Sequence, residues 1–362
     1  MAFRKMQDAF ASCKLEASSL ECQFTLWRGR LLAHGEARDC MRRTGKNLSL
    51  AADPAAQGSK QRLGTFTPDS LLFLAQGILD DSADLLEEGD VPAAYKLLER
   101  ELSEVFDLAK RLQCLSRLRL VTRSHRMYRH CREDPFTSYA SAKSGGYAVS
   151  LDFLNGGLLP LGTPKGAARI FDQLTTSTFA LSVRLLKTLT RAYIEDVSTR
   201  RASPRILALG AGHLRELEDG PLDLSRMEFT ALERDAAVCA FLSRKYQSQI
   251  TIIQPSSDDI EGLFREKGGF DLIYGPLLLT LLSDRRARRL LGVLNNQLAN
   301  GGKLIVCNVA ATADLRGYLA LFSRPGLQFR SRPDLKALAE GARSDVFGDP
   351  FNNINYLILE RV

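Results

Sequence analysis

Gly210-Ala211-Gly212 ends an apolar run, Arg205 to Leu209, and Glu233 ends a second, Phe229 to Leu232. Glycines at a strand end let the chain turn tightly and bring bare backbone against a ligand. A carboxylate at the end of the following strand is placed to accept both hydroxyls of a ribose. Ser256-Ser257-Asp258-Asp259, after a third apolar run, add hydroxyls and carboxylates at the same level. A Gly-x-Gly by itself is weak evidence, but joined to these strand-end residues it describes a nucleoside site. The candidate ligand contacts are Gly210, Ala211, Gly212, Glu233, Arg234, Ser256, Ser257 and Tyr274.

Two nucleoside cofactors compete for such a site. A dinucleotide fingerprint needs glycine or alanine at its third position, for close helix packing around a pyrophosphate. Arg215 stands there instead. S-adenosylmethionine (SAM) has no pyrophosphate and fits better. Tyr139, Tyr147 and Tyr274 are the candidate catalytic residues, because a phenol can accept a hydrogen bond from an amine and its ring can face a sulfonium. Each has an alternative role as a packing residue. His125, His130 and Cys131 invite a metal reading, but on one helix an i, i+5 spacing separates the imidazoles by roughly 140°, so no metal is expected.

The elements that must hold these residues alternate after Pro204. Arg205–Leu209, Phe229–Leu232, Ile250–Ile253, Phe270–Tyr274 and Lys303–Val309 read as strands, the last preceded by an Asn300-Gly301-Gly302 turn. Helical segments separate them. That order predicts an α/β domain over 204–362, a Rossmann-like parallel sheet with helices on both faces. Residues 1–200 are expected to form a mainly helical domain. Within it, Thr67-Pro68 starts a helix that Gly89 stops, Asp90 caps a second to about Cys114, and Leu115–His130 reads as a third. Leu20–Leu32 shows strand-like alternation without excluding a helix, and Lys46–Gly64 reads as a linker. Residues 134–166, with Gly145-Gly146-Tyr147 and Gly156-Gly157, read as a lid loop, and Ala167–Val197 as another helix.

The 362-residue chain is 45% hydrophobic and 25% charged, the balance of a globular protein with ample core. No apolar run approaches membrane-spanning length, and the start of the chain does not read as a signal peptide. Seven scattered cysteines (Cys13, Cys22, Cys40, Cys114, Cys131, Cys239, Cys307) without a CxxC pair suit reduced thiols in a cytoplasmic protein. The net charge of +7 is spread out and not interleaved with aromatics, which argues against nucleic acid and for a small-molecule partner. Arg285-Arg286-Ala287-Arg288-Arg289 and Arg123–Arg132 read as solvated helix faces, with an anionic partner as the functional alternative. The helical N-terminal domain offers a surface for a homodimer.

Longer motifs add a resemblance. The chain has Pro135-Phe136-Thr137, then Lys143-Ser144-Gly145-Gly146-Tyr147-Ala148-Val149-Ser150. It continues with Gly210-Ala211-Gly212-His213-Leu214-Arg215-Glu216 and Ile273-Tyr274-Gly275-Pro276-Leu277-Leu278-Leu279-Thr280. The C-terminal half resembles class I SAM-dependent methyltransferases. From Asp134 onward the chain is similar to the bacterial family that makes 3-hydroxypalmitic acid methyl ester, an extracellular factor. That family carries Phe-Thr, Lys-Pro-Arg-Gly-Tyr-Ala-Gly-Asp, Gly-Cys-Gly-Pro-Ala-Arg-Glu and Ile-Tyr-Ser-Ala-Gly-Leu-Phe-Asp-Tyr-Leu. Ser144-Gly145, Ser150 and Thr280 depart from it at positions that the resemblance implies are acceptor-side or lid.

The resemblance implies SAM as cofactor and methyl transfer to a small carboxylate or hydroxyl, in secondary metabolism or signalling. Two alternatives stand beside it. In one, SAM's own amine attacks its γ-carbon and gives azetidine-2-carboxylate and methylthioadenosine, with SAM as the only substrate. In the other, the fold is a non-catalytic SAM-binding module.

Overall fold

Helix α1 (Pro68–Glu88) begins as its sequence dictates, with Thr67 and Ser70 forming a reciprocal capping box and Pro68 in the first turn. The computed structural model describes residues 67–141, 145–255, 268–324 and 326–361 of the chain. They belong to one compact unit beginning at Thr67. The expectations for Leu20–Leu32, Lys46–Gly64 and Ser256–Asp259 lie outside the described residues.

Asp90 accepts from the Ala93 amide and caps α2 (Val91–Arg111), whose buried stripe includes Ala94, Leu98, Leu102, Val105 and Phe106. The third helix expected to His130 is two: α3 (Leu115–Ser124) and α4 (Arg126–Glu133). His125 separates them in an extended conformation, and its imidazole accepts from the Met127 amide as the cap of α4. The lid expected as a loop is also largely helical. Asp134-Pro135 opens α5 (Pro135–Ala140), and Gly145 opens α6 (Gly146–Leu154). The helix expected over 167–197 likewise divides into α7 (Lys165–Thr176) and α8 (Thr178–Arg200), with Ser177 extended between them and capping the Ala180 amide. At His125, Asp134 and Ser177 a polar side chain competes for the backbone and caps the start of the next helix.

The strands are β1 (Arg205–Leu209), β2 (Glu228–Leu232), β3 (Thr251–Ile253), β4 (Phe270–Gly275), β5 (Leu298–Val309), β6 (Ser344–Gly348) and β7 (Ile354–Glu360). Between β2 and β3 lies α9 (Ala236–Tyr246), and between β4 and β5 lies α10 (Asp284–Asn296). After β5, α11 (Arg332–Leu338) precedes the last two strands. They form one sheet of order β3-β2-β1-β4-β5-β7-β6, parallel from β3 to β5, with β7 antiparallel to both neighbours. Strand β5 starts earlier than expected: the Asn300-Gly301-Gly302 segment lies inside it, where the pairing with β4 shifts register between Phe270 and Leu272. A Cβ on Gly302 would lie 2.6 Å from the Phe270 carbonyl oxygen, so only glycine allows the strands to meet there.

Successive residues of β1 serve opposite faces. Ile206 and Ala208 join Phe229, Leu272 and Val238 in one core, while Leu207 and Leu209 join Ile273, Leu304 and Leu291 in the other. Burial on both faces explains why these strands read as unbroken apolar runs. The helical part is tied to the sheet just after β5. There the Tyr95 hydroxyl meets that of Tyr318 at 2.9 Å, and Thr137 meets the same oxygen at 2.7 Å. The protein is thus an α/β fold built on one mixed seven-stranded sheet. Among the described residues no helix is long and apolar enough to cross a membrane.

Candidate functional site

The carboxyl ends of β1 and β2 meet through a web of short contacts. Leu232 O accepts from the amides of Gly210 (2.9 Å) and Ala211 (3.3 Å), which pins the glycine turn to the end of β2. Gly210 and Gly212 both have positive φ, +58° and +54°, where a side chain would strain the backbone. The Glu233 carboxylate lies against this turn. Its Oε2 accepts from the Gly212 amide at 2.9 Å, and its Oε1 from the amides of Arg234 (2.8 Å) and Asp235 (3.0 Å). Asp235 in turn caps α9 and accepts from the Gly145 amide, so α6 starts directly over the end of β2. Leu214 and Leu277, beyond the ends of β1 and β4, hold the left-handed conformation that leucine rarely adopts. Such strain is found where surrounding structure over-determines a site.

Above these strand ends opens a cleft of about 940 Å³, within the range of roughly 300–1,000 Å³ usual for ligand sites. Gly210, Glu233, Arg234 and Asp235 line one part, and Gly145, Gly146, Tyr147 and Ala148 of the α6 start line another. Leu209, Leu232, Pro276, Leu278 and Leu281 supply apolar wall. Arg286 and Arg289, which the sequence suggests are on a solvated helix face, also line it, as does Arg324. Ala211 and Gly212 face instead a small cavity of about 50 Å³ behind the turn.

That smaller cavity is bordered by a clamp between α6 and the glycine turn. Asp152 accepts from Arg215 twice, at 2.8 and 2.7 Å, and pairs with His213 at 2.6 Å. Burial works to raise the Asp152 carboxyl, but Arg215 and His213 outweigh it and hold it below the usual carboxylate range. The clamp was not anticipated from sequence. The Arg215 that counts against a dinucleotide is the only part of it to which the sequence drew attention.

The three tyrosines separate. Tyr147 lines the cleft, and burial pushes its phenol well above the usual range, so it stays protonated. Tyr274 is fully buried under the sheet, where its hydroxyl donates to Glu216 Oε1 at 2.6 Å. It is not among the cleft-lining residues, so a direct contact with bound ligand does not follow from its position at the end of β4. Tyr139 is 43% exposed and packs edge-on against Phe153. Two of the departures from the family motifs also find internal uses. Ser150 is buried and donates to the Tyr147 carbonyl within α6. Thr280 is buried and accepts from the Val309 amide at 2.9 Å, closing the end of β5. Ser144, Ser256 and Ser257 lie outside the described residues. Among those described, no cluster of three potential metal ligands occurs, and His125 and His130 pair separately with Asp80 and Glu87.

No family model and no curated protein matches the chain. Among solved structures, a possible exported protein from Bordetella parapertussis has a TM-score of 0.47 at 14% identity, covering 85% of this chain and 99% of its own. The CurJ carbon methyltransferase has a TM-score of 0.45 at 15% identity, with 84% and 93% covered. Magnesium protoporphyrin IX methyltransferase from Synechocystis, solved with bound SAM, has a TM-score of 0.36 at 13% identity, with 52% and 85% covered. These likenesses are loose, and the fold assignment rests on the strand order itself.

Proposed function

We propose that the chain is a SAM-dependent transferase that moves a methyl group to a small carboxylate or hydroxyl acceptor. The observation that carries this reading is the Glu233 carboxylate held at the end of β2 against the Gly210–Gly212 turn, on the floor of a cleft of ligand size. The carboxylate can still accept from a ribose hydroxyl, at the strand ends where open α/β sheets bind ligands. The aminocarboxypropyl part of SAM would then run past Gly210 toward the start of α6, and the sulfonium toward the Tyr147 ring.

The described lining of the cleft holds no histidine, and its two carboxylates, Glu233 and Asp235, are already engaged by backbone amides. A general base is therefore lacking among those residues. A carboxylate acceptor needs none, because it is already nucleophilic and requires mainly in-line placement and loss of water. The oligomeric arrangement through the helical part and a cytoplasmic setting belong to the same reading.

Self-cyclisation of SAM is the second reading. The observation that favours it is Tyr147, which lines the cleft and whose hydroxyl has no hydrogen-bond partner among the described residues. It can accept from SAM's neutral amine. One experiment tests both readings: incubation of the purified protein with SAM, with and without a mixture of carboxylic and hydroxy acids, followed by mass analysis. S-adenosylhomocysteine formed only with an acid present supports methyl transfer. Methylthioadenosine above the non-enzymatic background, without any acid, supports cyclisation and retires methyl transfer. SAM binding without either product would make the chain a binding module.

A further inference from the structure

Arg324 follows the short helical turn Leu319–Ser323 that packs under α3 and α4, and it lines the cleft. Among the described residues, four arginines line the cleft. Arg234, Arg286 and Arg289 each already have an interacting partner. Arg324 has no side-chain hydrogen bond or ion pair among the described residues, although two carboxylates line the same space. Those carboxylates are occupied: Glu233 takes three backbone amides, and Asp235 takes those of Gly145, Ala237 and Val238. The guanidinium is near enough to Tyr147 to favour ionisation of its phenol, yet burial dominates and the hydroxyl remains a donor.

A cation and a neutral donor therefore lie near each other in the cleft lining, both without a side-chain acceptor among the described residues. We propose that Arg324 and Tyr147 form a carboxylate-binding end of this cleft, the guanidinium pairing the anion and the phenol donating a second hydrogen bond. The inference rests on the SAM reading of the site. A planar guanidinium matches a carboxylate with two parallel N–H bonds. A single guanidinium without a competing protein carboxylate suits a monoanion, whose one charge it balances. Two molecules offer that chemistry: SAM, through its own aminocarboxypropyl carboxylate, and a carboxylic-acid methyl acceptor.

Arg324→Met tests the proposal, because the side chain is exposed at the cleft rim and its loss leaves no buried partner. Arg324→Lys keeps the charge without the fork. Calorimetry is run with SAM and with methylthioadenosine, which keeps the nucleoside and sulfur but has no carboxylate. Methyl transfer to a mixture of carboxylic acids is followed in parallel. If the carboxylate is SAM's, the wild type prefers SAM over methylthioadenosine, and Arg324→Met removes on the order of tenfold of that preference, with methylthioadenosine unaffected. If it is the acceptor's, SAM affinity holds and Arg324→Met raises the KM for the acid on the order of tenfold, with Arg324→Lys between. The proposal is overturned if SAM-over-methylthioadenosine preference survives in Arg324→Met and acid methylation is either unchanged by it or absent from the wild type. A wild-type protein that binds neither nucleoside defeats the SAM reading first.

Discussion

Replacing Glu233 with alanine removes the residue on which the cofactor reading depends, and the structure sets the size of the effect. A carboxylate offers about four lone-pair sites. Three are taken in the protein, two on Oε1 by the Arg234 and Asp235 amides and one on Oε2 by the Gly212 amide. One site therefore remains for a ribose hydroxyl, so the pair of hydroxyls inferred from sequence competes for a single vacancy unless an amide gives way. Losing one charge-assisted hydrogen bond costs about 1.5–3 kcal/mol, or a roughly 10- to 150-fold rise in Kd. The same substitution frees three amides, which water in the open cleft can satisfy, so the glycine turn loosens without the fold failing. Glu233→Gln keeps an acceptor without the charge and should fall between wild type and alanine. Isothermal calorimetry with SAM measures the loss, and thermal unfolding of each variant confirms that it is folded. Wild-type SAM affinity in a folded Glu233→Ala protein would refute the reasoning and remove β2 from the site.

Burial raises the Asp134 carboxyl from 3.8 to about 6, and its Oδ1 has no hydrogen-bond partner. A raised folded value means that its contribution is fully present below about 4 and is lost as pH rises through 6, worth about 3 kcal/mol by linkage. Asp134→Asn keeps an acceptor for the Thr137 amide, so it should flatten this slope and raise the denaturation midpoint at pH 7; urea titrations from pH 4 to 7 check it. Tyr274→Phe should leave the buried Glu216 without its donor and cost about 1–3 kcal/mol of stability. SAM affinity should stay unchanged, and a selective loss of turnover instead would return Tyr274 to the chemistry. Asp152→Ala should release α6 from His213 and Arg215, so amide exchange over Gly146–Leu154 should speed up in the free protein. In the wild type, adding SAM should slow exchange in the same segment; an unchanged rate there would make α6 a connector.

Much of the sheet was legible because its signals are local. Five strands are continuous apolar runs ending in turn residues, and Thr67-Pro68 and Asp90 start helices by capping their own next turn. The Gly210–Gly212 and Glu233 pairing was legible because strand ends of neighbouring parallel strands must lie side by side, and the Gly212 amide does meet Glu233. The breaks at His125 and Ser177 were missed where a helical apolar period continues across a residue that caps instead of propagating. The α5 start at Asp134-Pro135 carried a readable cap signal, but the glycines after it suggested a loop. The hairpin of β6 and β7 was not anticipated, although Ile354–Glu360 is itself a largely buried run.

Sequence alone determined which residues end strands and which begin helices, since those choices rest on backbone preferences within a few residues. Tertiary structure decided where the side chains point. Tyr274 and Ile273 are adjacent in a strand buried on both faces, so no alternation of polar and apolar residues shows which face each serves. The fold turns Tyr274 toward Glu216 and leaves the cleft to Tyr147, which α6 brings over β2 from more than eighty residues away in the chain, with Asp235 holding the Gly145 amide. Arg324 carries no motif at all. It acquires meaning only because the packing brings it into the lining of the cleft, where both described carboxylates have been claimed by backbone amides.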